Sequence, residues 1–149
     1  MLTSLIIRSG EVLDAVQATN TGVFSGSYAE LGLLQHGGNG GNNNVINLNA
    51  GDCITEVTGF TGTWFGWNVV AQISIKTDQG MVYGPFGTMN NVTGKKAITY
   101  TAPNNQCIAA LNGSTIQVPN VQGNTTFVIS ELTVSYEQVP VATLKAMNA

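Results

Sequence analysis

The stretch His36-Gly37-Gly38-Asn39-Gly40-Gly41, followed by Asn42, Asn43 and Asn44, limits what this chain can fold into more than any other. A strand or helix interior does not hold that much glycine, because each one costs about 0.5–1 kcal/mol there relative to alanine. The stretch therefore reads as a loop. With no Cβ in the way, glycine pairs let backbone N–H groups approach a bound group closely. Two ligand classes suit such a loop: a phosphate and a neutral polyol.

Charge separates the two. Charged residues make up 9% of the 149 residues, against roughly 25% in an average domain. Asn, Thr, Gly, Ser and Gln take their place, giving a neutral surface rich in hydroxyls and amides. The net charge is −3, and the basic residues are Arg8, Lys76, Lys95, Lys96 and Lys145. Only Lys95 and Lys96 adjoin, so no basic patch tracks a phosphate backbone and nucleic acid is not an expected partner. The glycine loop lacks the G-K-[ST] ending of a phosphate-binding loop, and no helical pattern follows it. No apolar run reaches the roughly 18 residues of a membrane span. Residues 1–9 lack the features of a signal peptide, so the expected location is the cytoplasm, or release without such a peptide.

Short apolar runs recur with turn signals between them. Leu5 to Ile7, Leu13 to Ala18, Tyr28 to Leu34, Val45 to Leu48, Ile54 to Phe60, Val69 to Thr77 and Met81 to Tyr83 read as strands. So do Lys96 to Thr101, Cys107 to Leu111, Thr115 to Val118 and Phe127 to Tyr136. Thr19 to Gly22, Asn49 to Asp52, Asp78 to Gly80, Asn112-Gly113 and Gly123-Asn124 read as turns, and Thr61 to Trp67 as an aromatic loop. Strands every 8–12 residues predict an all-β sandwich, barrel or prism. Leu5 to Val16, Gly62 to Ile75 and Gly123 to Val134 share an outline, which suggests three small sheets of similar build. The chain reads as one domain, residues 1–139, with a tail from 140 to 149. Cys53 and Cys107 lie in apolar runs. They are expected as buried free thiols, with a disulfide as the alternative, and their spacing fits no metal.

Catalysis finds little purchase here. The acids are Glu11, Asp14, Glu30, Asp52, Glu56, Asp78, Glu131 and Glu137, and only Glu11 and Asp14 are close in sequence. A glycosidase needs two carboxylates across one cleft. A serine triad would need His36 as its base, and no nucleophile motif lies near it. His36 is expected to be a loop residue with a structural hydrogen bond. Gly10-Glu11-Val12-Leu13-Asp14 is more informative. A glycine opens a tight turn, backbone N–H groups at Glu11 and Val12 point outward, and Asp14 follows at the start of the next strand. A carboxylate accepting from two vicinal hydroxyls makes a strong charge-assisted pair of hydrogen bonds. Beside the Gly37-Gly38 loop it forms a polar cup for a neutral sugar, since Asp14 would repel an anion. The plainer alternative is that Asp14 caps a turn.

Taken in order, several stretches carry a resemblance. They are Arg8 to Val16, His36 to Gly41, Ile73 to Asp78, and Tyr83-Gly84-Pro85-Phe86-Gly87. Over about residues 3–138 the chain resembles the jacalin-related lectins. The resemblance implies a β-prism I fold, three four-stranded antiparallel sheets around a pseudo-threefold axis. It implies non-catalytic binding of mannose- or glucose-type glycans, with galactose as a further candidate, and no cofactor. In the family a G-x-x-x-D turn pairs with a double-glycine loop. The implied site is Gly10, Glu11, Val12, Leu13 and Asp14 with Gly37 and Gly38. Asp14 would accept from sugar O4 and O6, the Glu11 and Val12 main chain would hold the sugar, and Gly38 would reach O3.

The chain also departs from the family pattern. Ala71 and Ser130 stand where the other two blades would have an aspartate, and Thr88 to Asn91 replaces the second glycine loop, so one site is expected. Val12 replaces an aromatic. The family's usual first strand is not in the sequence, so an unpaired edge is expected beside Leu5–Ser9 or Phe127–Tyr136, covered by a second chain or by the tail; hence a homo-oligomer. Trp64 and Trp67 either flank the sugar or plug one end of the prism. A β-prism docking or oligomerisation module with a decayed sugar site is the alternative function.

Overall fold

Apolar residues alternate along most strands, and that alternation is what packs the sheets around one core. In β1 (Leu2–Ser9) the side chains of Leu5, Ile7 and Ser9 turn inward. In β7 (Trp67–Thr77) Ile73 and Ile75 do the same, and Val70 joins them across a register shift, while Val69 and Ala71 pack in a second cluster. The computed structural model describes residues 1–24, 27–32, 36–119 and 123–139, with side chains left out at 20–24, 27–32 and 36. Every described element is a strand.

Three antiparallel sheets result. In the first, β3 (Ser27–Gly32), β2 (Leu13–Phe24), β1 and β5 (Asn42–Asn47) lie in that order, and the short β4 (His36–Gly37) joins β2. In the second the order is β8 (Val82–Phe86), β7, β6 (Ile54–Trp64) and β9 (Val92–Thr101). The third pairs β10 (Gln106–Pro119) with β11 (Thr125–Gln138). Leu5, Ile7, Leu13, Val57, Ile73, Ile75, Ile108 and Ile129 meet in the shared core, each removed from water. This is the β-prism I architecture.

The pseudo-threefold build shows in the packing of two glycines. A Cβ on Gly37 would stand 2.1 Å from the Asp14 carbonyl oxygen, and one on Gly87 would stand 2.1 Å from that of Ala71. Ala71 is thus the counterpart of Asp14 in the second blade.

Several expectations need correction. Thr19 to Gly22 is not a turn: β2 runs through it to Phe24, paired with β3 from Thr19↔Gly32 to Phe24↔Ser27. Asn112-Gly113 is not a turn either. It lies inside β10, and the runs at Cys107 and Thr115 are one strand with a bulge after Ser114. Gly113 serves close packing instead, since a Cβ there would meet Ile129 Cδ1 at 3.0 Å. The expected aromatic loop is a tight hairpin: Trp64 pairs with Trp67, and Phe65 and Gly66 form the turn with φ of +46° and +87°. Positive φ at both central residues matches the right-handed twist of the flanking strands. β1 has no open edge, being flanked by β2 and β5. Among the described residues, β11 pairs with β10 alone. The tail from 140 lies outside the described residues, as do Leu33 and Leu34 of the run begun at Tyr28.

The cysteines are bonded to each other, not free. Cys53, just before β6, and Cys107, at the start of β10, have Cα atoms 5.8 Å apart and form a buried disulfide. Two strands from different sheets converge there, a closeness that their 54-residue separation does not reveal. At the same end Asp52 Oδ1 accepts the N–H groups of Cys53 (2.8 Å) and Gln79 (3.1 Å), tying two turns together.

Candidate functional site

The opposite end of the prism holds the candidate site, and it starts from the β1–β2 hairpin. Gly10 donates its N–H to Val12 O at 3.1 Å, which closes the turn. The turn is locked from outside by Thr88 N–H to Gly10 O (2.9 Å) and Met89 N–H to Glu11 O (2.8 Å). Val12 and Leu13 then point into the protein and are buried. Asp14 follows, 9% exposed.

The glycine run crosses directly over Asp14. Gly38 donates its N–H to Asp14 O at 3.1 Å. Further on, a Cβ on Gly40 would lie 2.8 Å from Asp14 Oδ1, and one on Gly41 would lie 2.5 Å from Oδ2. Gly41 has φ of +70°, so both its backbone and its space call for glycine. This cover has an electrostatic consequence. Burial raises the Asp14 carboxyl from 3.8 to about 6, and the Arg8 guanidinium pulls the other way.

A hollow of about 590 Å³ opens beside this carboxylate. Glu11, Asp14, Gly40 and Gly41 line one side, while Trp64, Phe65 and Trp67 from the β6–β7 hairpin stand on another. Pro119, Thr126 and Val128 of the third sheet complete it. All three sheets thus contribute. The two tryptophans pack on Val12, Val69, Val118 and Val128, as expected of a plug at this end of the prism, and they also line the hollow.

The residues expected from the sequence divide into two groups. Glu11 and Asp14 line the hollow. Glu11 is committed elsewhere, since its Oε2 accepts from Trp64 Nε1 (3.1 Å) and Asn91 Nδ2 (2.9 Å). Gly10, Val12 and Leu13 shape the turn from behind. Gly37 and Gly38 are packing positions: a Cβ on Gly37 would meet Asp14 O, and one on Gly38 would meet Phe127 O at 2.5 Å. The second glycine pair, Gly40-Gly41, is the one that reaches the hollow. The sequence did not point to Gly40 and Gly41, or to Phe65 and Thr126, as lining residues of this hollow. Both pairs stood in the same run, but which pair touches the carboxylate depends on how β4 docks on β2. His36 is in β4 and not in the loop, paired with Val16, and its side chain is outside what the structure describes. Among the described residues no cluster of His, Cys, Asp or Glu could hold a metal ion.

The hollow thus sets a carboxylate beneath glycines, beside an aromatic wall, at one end of a β-prism. A family model for the jacalin-like lectin domain matches residues 1–122, and the chain belongs to that family. Jacalin-like lectins are non-catalytic carbohydrate-binding proteins. Horcolin of barley, Hordeum vulgare, is 29% identical over 80 residues, covering 54% of this chain and 53% of horcolin. The chain thus spans about half the length of the curated relatives it matches. Solved structures share the fold across most of the chain. Malaysian banana lectin aligns with a TM-score of 0.66 at 19% identity, over 92% of this chain and 83% of that one. AcmJRL of Ananas comosus, described as a mannose-binding jacalin-related lectin, aligns at 0.60 and 24% identity, over 90% and 83%. Jacalin in complex with T-antigen aligns at 0.67 and 19%, over 91% of each chain.

Proposed function

We propose that this protein binds carbohydrate, and that it recognises mannose- or glucose-type glycans in the hollow beside Asp14. The observation that carries this reading is the carboxylate beneath Gly40 and Gly41 at the edge of an aromatic-walled cavity. Two vicinal sugar hydroxyls donate to Asp14, each such bond contributing about 1.5–3 kcal/mol. The apolar C–H face of the ring rests on the Trp67 and Phe65 side. Gly10, Glu11, Val12, Leu13, Gly37 and Gly38 build the frame and do not themselves face the sugar, apart from Glu11. Neither Ala71 nor Ser130 offers a carboxylate, which supports one site per chain. Neutral sugars suit the site because the nearest cation, Arg8, is engaged with backbone and amide groups. The homologous fold serves a mannose-binding lectin in pineapple and a T-antigen complex in jacalin, so axial or equatorial preference at O4 is the decisive contrast. The disulfide favours an oxidising location over the cytoplasm.

A glycan array with free mannose and galactose as competitors tests the reading. Mannose is expected to displace the protein from bound glycans, and galactose to fail. Competition by galactose alone would reassign the sugar, and no binding to any glycan would sink the lectin reading for this chain. One observation favours the alternative of a docking module with a decayed site: Asp14 is largely covered without a ligand. Under that reading the array stays blank.

A further inference from the structure

We propose that Arg8 is the positioning residue of the site: its guanidinium holds the 39–43 segment across Asp14 and sets which way the glycine peptide groups face. This rests on the glycan reading of the hollow, and it concerns a residue outside its lining.

The geometry is specific. Arg8 sits on β1, opposite Ala15 of β2 on one side and Asn43 of β5 on the other. Its Nε donates to Gly40 O at 3.1 Å, its Nη2 to Asn39 O at 2.7 Å, and its Nη1 reaches Asn43 Oδ1 at 3.5 Å. One planar cation therefore takes two successive carbonyls, a task suited to the guanidinium fork. In a trans peptide the C=O and N–H point in opposite directions. Pulling the Asn39 and Gly40 carbonyls toward Arg8 turns the N–H groups of Gly40 and Gly41 away from it. Those are the two glycines that line the hollow and overlie the Asp14 carboxylate. Asn44 braces the same segment, its Nδ2 donating to Ile7 O at 3.1 Å and Asn42 O at 3.3 Å. Without Arg8 the Asn39 and Gly40 carbonyls lose this donor, and glycine's own backbone preference does little to hold their orientation.

Arg8 also acts on the charge of the site, because it is the cation that opposes the effect of burial on Asp14. Glu11 comes from the turn, the Trp64–Trp67 hairpin and Thr126 bring no charge, and β4 carries His36, whose side chain is not described.

The test compares Arg8→Gln and Arg8→Lys with the parent. Methyl α-mannoside titrations give the dissociation constant, and the Asp14 side-chain carboxyl carbon resonance gives its own titration midpoint. Arg8→Gln is expected to weaken binding at least tenfold, raise the Asp14 midpoint, and move the amide resonances of Gly40 and Gly41. Arg8→Lys is expected to return the midpoint toward the parent while binding stays weak, since one ammonium restores the charge but not the two-carbonyl grip. A merely structural Arg8 would lower the melting temperature of both variants and leave affinity and midpoint per folded molecule as in the parent; that result overturns the proposal. If the parent itself binds no glycan, the lectin reading falls and Arg8 is judged on the empty protein. Gly40 and Gly41 amides and an Asp14 midpoint unmoved by Arg8→Gln then overturn it; moved ones uphold it. Should Arg8→Gln fail to fold, the lysine variant decides: parent-like affinity and parent-like Gly40 and Gly41 amides overturn the proposal, while weak binding with shifted amides upholds it.

Discussion

At the scale of single residues, Asp14 sets both the chemistry and its cost. Its carboxyl titrates near 6 in the folded protein against 3.8 ordinarily, so the folded state holds the proton more tightly than the unfolded one. Stability therefore falls as pH rises between these two values and stays lower above them. Glycan binding runs the opposite way, since the ionised carboxylate is the acceptor, and it should be gained as pH rises through about 6. Asp14→Asn is then expected to bind no mannose while melting no lower than the parent at neutral pH. Its melting temperature should also lose the parent's rise on acidification. A variant that melts well below the parent at neutral pH would show that the carboxylate is held by favourable contacts, not merely covered. The neighbouring glycines separate packing from binding. Gly38→Val drives a side chain into Phe127 O of β11 and should cost about 1–3 kcal/mol by overpacking. Gly40→Ala meets only the Asp14 carboxylate at 2.8 Å, so it should lose affinity with a smaller loss of stability. Denaturant titration of both variants checks the order, and equal losses would contradict it. The carboxylate and the glycine loop were legible in the sequence as residue types at suggestive positions. The register of the loop was not: whether Gly38 or Gly41 meets the Asp14 carboxylate depends on a two-residue strand, β4, whose pairing leaves no periodic signal.

At the scale of elements, the β6–β7 hairpin decides whether the hollow exists. Its turn leaves Phe65 62% exposed, with ring centroids of Phe65 and Trp67 at 5.3 and 6.5 Å from that of Trp64. Besides the packing of Trp64 and Trp67 on Val12, Val118 and Val128, Glu11 links the hairpin to the β1–β2 turn, accepting from both Trp64 and Asn91. Glu11→Ala takes the acceptor from the half-buried Trp64 indole N–H and from the exposed Asn91 amide, which water can replace in part, so the loss of stability is about 1 kcal/mol. Tryptophan emission should shift to the red and mannose affinity should drop; emission and affinity matching the parent would show that the hairpin is self-supporting. Strand positions were mostly readable because buried faces impose a period of two. The failures share one cause. Thr19 to Gly22 and Asn112-Gly113 carry turn residues, yet each is paired residue by residue with a partner strand. A glycine signals close backbone approach as readily as a turn, and only the neighbour decides which.

At the scale of the whole molecule, the two ends of the prism are secured differently. The hollow end relies on hydrogen bonds, whereas the far end is tied by Cys53–Cys107 between the second and third sheets. Closing a loop across 54 residues is worth about 4 kcal/mol by the chain-entropy account. Cys107→Ser should lose stability on that order by urea titration while keeping the hollow, and unchanged stability would mean the bond forms little in solution. The third sheet is the exposed part of the design. Among the described residues the first two sheets each have four strands in line, the third has two, and β11 pairs with β10 alone. Proteins seldom leave so long an edge bare. Phe127 and Tyr136 lie on this same strand, 46% and 38% exposed. An antiparallel meeting of two β11 strands would bring each Phe127 toward the other chain's Tyr136 and join two pairs into one sheet of four. The expected state is therefore a homodimer. Light scattering should give twice the chain mass for the parent, and Thr133→Lys with Tyr136→Lys should return it to one by placing charge on the edge. A parent that stays monomeric, and whose stability survives removal of residues 140–149, would show that neither a second chain nor the tail covers β11.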